Sequence, residues 1–136
     1  MKYYLNAIML LSLSLIAGCS SPGMLTTATG RPEITVPGRS LQEVSNALAE
    51  WSITHGFDIT KTTFFSMAGE RVADSSSALH NINIGTRQRV VFDYATTTKG
   101  IHVSGDFRSG TEELGNIEER DWLQNQLREI ADSLSH

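Results

Sequence analysis

His102, Ser104 and Asp106 are the residue types of a hydrolytic relay, and they fall at alternate positions in Ile101-His102-Val103-Ser104-Gly105-Asp106-Phe107. Such alternation is a strand signature, so the three share one face. On a strand, residues i and i+2 lie about 6.5–7 Å apart, whereas a nucleophile and its base must approach to about 2.6–3.2 Å. The spacing therefore predicts the polar face of a strand and no catalytic set, and the chain is expected not to be an enzyme. His55, His80, His102 and His136 share no i, i+4 ligand spacing, so no metal site is expected. His55 instead precedes Gly56 at a helix end, where an imidazole meets exposed carbonyls favourably.

Other binding chemistries fare no better. Gly85, Gly100, Gly105 and Gly110 fall in turns or strand ends, and none makes a glycine-rich phosphate loop between a strand and a helix. No cofactor is expected. Arg87 and Arg89 alternate with no interleaved aromatics, and the formal net charge is −4, which argues against nucleic acid. Trp51 and Trp122 sit on apolar helical faces as core or core-edge residues, and they are the candidate interface anchors.

The single cysteine is different. Cys19 follows a positive Lys2 and an apolar run from Leu5 to Ile16, broken only by Asn6, Ser12 and Ser14. The run is shorter than the roughly 20 residues that cross about 30 Å of hydrocarbon, which favours a secretion signal over a spanning anchor. The residues Leu15-Ile16-Ala17-Gly18-Cys19 resemble the lipobox of bacterial lipoproteins. That resemblance covers residues 1 to about 21. It implies cleavage before Cys19, a diacylglycerol on its thiol and an acyl chain such as palmitate on its amino group. It also implies sorting to the outer membrane in a Gram-negative host, because Ser20 replaces the aspartate of inner-membrane retention. One acyl chain anchors only marginally, but two or three hold a domain of this size on a bilayer.

Residues 1–18 are thus the expected signal peptide, and 19–32 the lipidated cysteine and a flexible tether. Residues 33–136 form a single α+β domain in this reading. Ser20-Ser21-Pro22-Gly23 and Thr26 to Pro32 are small and polar, a composition unable to offset its own ordering. About 13 such residues span roughly 20 Å as a coil.

The domain opens with a short alternating strand, Glu33-Ile34-Thr35-Val36, stopped by Pro37-Gly38. Ser40 and Glu43 have capping-box spacing, and Leu41, Val44, Leu48 and Trp51 follow on one face, which predicts a helix over 41–55. Phe57 to Phe65 is β-branched and aromatic and reads as one strand. Residues 69–86 carry weak signals, with Ser75-Ser76-Ser77 a loop and Leu79 to Ile84 a short strand or ordered loop. Strands over 87–96 and 101–107 form a hairpin.

A loop over 97–100 sets Thr96 against Ile101, Tyr94 against Val103 and Val90 against Phe107, apolar to apolar. The alternative two-residue loop opposes Asp93 and Asp106, a like-charge pair. The last helix follows the capping pattern at Asn116-Ile117-Glu118-Glu119 and carries the stripe Leu123, Leu127, Ile130 and Leu134. Glu112, Glu113, Glu118 and Glu119 lie at or before its start, where the helix dipole favours negative charge.

Two amphipathic helices on one face of an antiparallel sheet of about 4–5 strands give a two-layer α+β domain. Element order alone carries a loose similarity to the helix-grip domains of some outer-membrane assembly lipoproteins. The functional expectation is a lipid-anchored, periplasm-facing, non-enzymatic adaptor that binds another envelope protein. The rival is a lipid or small-molecule binder using a hollow between sheet and helices. Replacing Cys19 by Ala should remove the acyl mass seen by mass spectrometry and release the protein from the membrane fraction. Unchanged membrane association would overturn the lipoprotein reading.

Overall fold

Helix α1 (Leu41–Thr54) begins at its capping box. The Ser40 hydroxyl accepts from the Glu43 amide at 3.2 Å, and the Glu43 carboxylate accepts from the Ser40 amide at 2.8 Å. Those bonds, first from the Ser40 amide and then from its hydroxyl, hold the Glu43 carboxyl below its ordinary pKa, with Arg39 adding to the effect. The helix ends where Gly56 takes a left-handed φ of +76°. His55 closes the end, its Nδ1 donating to the Trp51 carbonyl at 2.8 Å, as its position predicts. Val44, Leu48 and Trp51 are buried.

The computed structural model describes residues 27, 29–73, 85–110 and 117–136. Five strands follow one another as β1 (Glu33–Val36), β2 (Asp58–Thr62), β3 (Ser66–Val72), β4 (Arg87–Thr97) and β5 (Gly100–Ser109). They form one antiparallel sheet in the order β1-β5-β4-β3-β2, and helix α2 (Ile117–Leu134) ends the chain. Both helices lie on the same face, α1 over β2, β3 and β4, and α2 over β1 and β5. The β4–β5 hairpin has the expected register: Thr96 opposes Ile101, Tyr94 opposes Val103 and Val90 opposes Phe107. The ladder runs one pair further than expected, to Thr97 and Gly100.

Two expectations change. The predicted strand over 57–65 stops at Thr62, and the chain turns through 63–65 and returns as β3. Thr63 makes that turn. Its amide and its hydroxyl both donate to the Ser66 carbonyl, at 2.8 Å and 3.2 Å, and the hydroxyl accepts from the Phe65 amide at 3.3 Å. Composition favours extended chain throughout this stretch, but local side chain–backbone bonds decide it. Strand β3 (Ser-Met-Ala-Gly-Glu-Arg-Val) has weak intrinsic preference and is imposed by pairing on both sides. The second change concerns the last residues assigned to the tether, which already pack on the domain. Pro32 is fully buried and its carbonyl accepts from the Gly105 amide at 2.8 Å. The serine run, residues 79–84, Glu112, Glu113, Asn116 and Cys19 lie outside the described residues.

The core is aromatic and aliphatic. Trp51, Phe57, Phe92, Phe107, Leu123 and Leu127 fill the space between the layers, none more than 8% exposed. Gly105 of β5 faces α2 here. A Cβ on it would stand 2.7 Å from Leu123 Cδ2, so the missing side chain is what lets α2 lie close to the sheet. Arg71 enters from β3 with its guanidinium 4.4 Å from the centre of the Phe57 ring. It donates to buried Gln88 at 2.6 Å and to the His55 carbonyl at 2.5 Å.

The sheet's two edges differ. Gln124 of α2 is 4% exposed and grips the backbone of Glu33 with both ends of its amide. Its Oε1 accepts from the Glu33 N–H at 2.8 Å and its Nε2 donates to the Glu33 C=O at 2.9 Å, as a neighbouring strand would. Among the described residues β2 has no such cover; its side chains are exposed along its whole length, with a register break between Ile59 and Lys61. Gln124→Ala removes two partly buried hydrogen bonds and should lower stability by about 2 kcal/mol in urea unfolding. A loss below a few tenths of that would show that water replaces the side chain at this edge.

Candidate functional site

Strand alternation sends one set of side chains away from the helices. On β1 these are Glu33 and Thr35, on β5 His102, Ser104, Asp106 and Arg108, and on β4 Arg89, Val91 and Asp93. His102 turns to β1: its Nε2 lies 3.8 Å from a Glu33 oxygen and its Nδ1 lies 3.5 Å from the Thr35 hydroxyl. Asp106 holds Arg108, one carboxylate oxygen taking Nη2 at 2.6 Å and Nε at 2.8 Å. His102 and Asp106 thus find their partners elsewhere, and no hydrogen bond links His102, Ser104 and Asp106 to one another. Beside them a groove of about 260 Å³ is lined by Arg31, Arg89, Val91, Asp93, Asp106 and Arg108.

Trp51 and Trp122 lie in the aromatic cluster, 5.8 Å apart between ring centres. Trp51 is buried, stacked on His55 at 4.3 Å, and donates its indole N–H to Gln126 at 3.0 Å. Trp122 is half-buried, 5.1 Å from Phe107. Among the described residues the large aromatics that face solvent are Phe64 and Phe65, 72% and 63% exposed, in the turn between β2 and β3. Their rings meet edge to face at 4.9 Å. Two consecutive aromatics between Thr63 and Ser66 break the alternation of a buried strand, and that break was the available signal.

Tyr94 fixes this turn from below. Its amide donates to the Phe65 carbonyl at 2.9 Å and its hydroxyl donates to the Thr63 carbonyl at 3.2 Å. Burial pushes the phenol pKa above its ordinary value. The phenylalanines therefore project from a turn held by Thr63, Ser66 and Tyr94. β2, which leads into it, presents outward backbone groups on the same hairpin.

Among the described residues no group of three or more His, Cys, Asp or Glu side chains could hold a metal ion. Cys19, the expected lipidation site, lies outside them. Among the described residues the space between sheet and helices holds the aromatic core, and the groove lined by Arg31, Arg89 and Arg108 lies on the opposite face. No family model matches this chain, and no curated protein matches it either.

Tyr94→Phe should cost about 1 kcal/mol in urea unfolding, through loss of one hydrogen bond to the Thr63 carbonyl. It should also speed hydrogen exchange at the amides of 63–66. Unchanged exchange there would mean that Tyr94 does not hold the turn.

Proposed function

We propose that the chain is a lipid-anchored, periplasm-facing adaptor that acts by binding another envelope protein through its β2–β3 hairpin, without catalysis of its own. The anchor rests on the lipobox-like residues ending at Cys19, with the outer membrane favoured by Ser20 in a Gram-negative host. The observation that carries the binding reading is the solvent-facing pair Phe64–Phe65 on a pinned turn. Two adjacent rings this exposed lose favourable burial in water, and rigid aromatics of this kind anchor interfaces at low entropic cost.

A protein fits this hairpin better than a bilayer does. Beside the rings, β2 is the edge strand of the sheet among the described residues, and its outward backbone donors and acceptors can be satisfied by a partner strand but not by lipid tails. Lys61 and Asp58 on the same strand also favour a polar counterpart over hydrocarbon.

Photocrosslinking from position 64 in cells, with capture of the full chain from detergent-solubilised membranes, tests the reading. One stoichiometric protein adduct is expected. Phe64→Ser with Phe65→Ser should weaken that complex about 30-fold, in line with the loss of an aromatic hot spot, while leaving the unfolding midpoint nearly unchanged. Crosslinks to lipid alone, or a complex indifferent to both substitutions, would sink the proposal.

A further inference from the structure

We propose that the groove on the open face of the sheet is a binding site for a phosphate group, seated between Arg89 and Arg108 with Arg31 as its third donor. The starting point is a juxtaposition that the fold leaves unrelieved. Arg89 of β4 stands directly opposite Arg108 of β5 in the ladder. Like charges so placed destabilise a sheet. Arg108 is partly neutralised from its own strand by Asp106. Arg89 is not: it forms no ion pair among the described residues. Glu70, its cross-strand neighbour on β3, instead lies 3.8 Å from Arg87.

Arg31 joins from outside the sheet. The segment before β1 is held by the bond from the Gly105 amide to the Pro32 carbonyl and by the Thr27 hydroxyl on the Arg31 carbonyl at 2.6 Å. Its guanidinium reaches Asp93 of β4 at 3.8 Å. The groove is therefore lined by three arginines, Arg31, Arg89 and Arg108, and two aspartates, Asp93 and Asp106, one positive charge in excess. This local excess contrasts with a chain of formal net charge −4. Half-buried Val91, directly opposite Asp106, supplies an apolar floor.

Geometry selects the ligand class. Arg108 spends Nε and Nη2 on a single oxygen of Asp106, so its other N–H donors remain for a ligand, as do those of Arg89. A carboxylate has two oxygens to offer such planar forks, whereas a phosphate has three for three guanidiniums. A volume of about 260 Å³ admits a phosphate group while the rest of its carrier projects into solvent. A single excess charge and two flanking carboxylates do not suit a polyanion, which needs a row of cations. The phosphate can belong to a soluble phosphorylated compound or to a lipid headgroup, and the measurement separates them.

The test uses the full chain in nonionic detergent, titrated with inorganic phosphate by calorimetry and thermal melting at ionic strength held constant with chloride. Saturable binding is expected, about tenfold weaker in Arg89→Gln, while Arg87→Gln, outside the groove, binds as the parent does. In chloride alone Arg89→Gln should melt at or slightly above the parent temperature, because it relieves repulsion; a lower melt there would make Arg89 structural and overturn the proposal. Micelles doped with phosphatidylglycerol form the second arm. A stronger Arg89-dependent response to the lipid assigns the site to headgroups, and a stronger response to free phosphate assigns it to soluble compounds. No saturable response in either arm, or one that Arg89→Gln and Arg108→Gln both leave intact, overturns the site. Phe64→Ser with Phe65→Ser should leave phosphate binding unchanged, so this site and the hairpin surface stand or fall separately.

Discussion

Trp51 is the contact through which every layer of this domain is joined. Its indole stacks on His55 at the end of α1 and on Phe57 at the entry to β2, and it meets Phe92 of β4 edge-on at 5.5 Å. On its far side lie Trp122 and Gln126 of α2. One side chain thus sets the distance between the two helices and their height above the sheet. Aromatic pairs at such separations add to simple burial, and truncation here would remove partners from each element at once. The indole N–H is satisfied by Gln126, so this large ring is buried without an orphan donor.

Covering one face fully leaves the other to water, and the open face follows from that. Its side chains are mostly polar or charged and lie beside counterparts, Arg31 near Asp93, Arg108 on Asp106 and His102 near Glu33. Exposed pairs of this sort contribute little to stability. What they do is fix a pattern of charge on a rigid sheet. Arg89 departs from that pattern, standing opposite Arg108 with no ion pair among the described residues.

Local chemistry made parts of this fold readable in advance. The Ser40–Glu43 box needs only a four-residue window, and the β4–β5 register follows from matching apolar faces and avoiding opposed aspartates. β3 could not be read in this way. Gly69, Glu70 and Arg71 have no preference for extended chain, and their strand exists because β2 and β4 flank it. Phe64 and Phe65 interrupt the strand alternation in the sequence, but their exposure follows from the turn that the Thr63 hydroxyl and Tyr94 hold. Glu119 was assigned to the helix dipole, yet it is 3% exposed in the first turn of α2, so its role includes the interior. Gln124, 91 residues from its partner Glu33, leaves no trace in any short window.

The unequal edges of the sheet have a consequence for assembly. Growth of a β-fibre needs two receptive sides on each subunit, one to be templated and one to template. Here Gln124 occupies the β1 side, and the β2 side is five residues long and interrupted by a register break. The two edges are therefore unequal hosts for an added strand. A strand added at β1 must first displace the Gln124 amide from Glu33, and one added at β2 must accommodate the break between Ile59 and Lys61, so neither edge extends a regular ladder without a local cost.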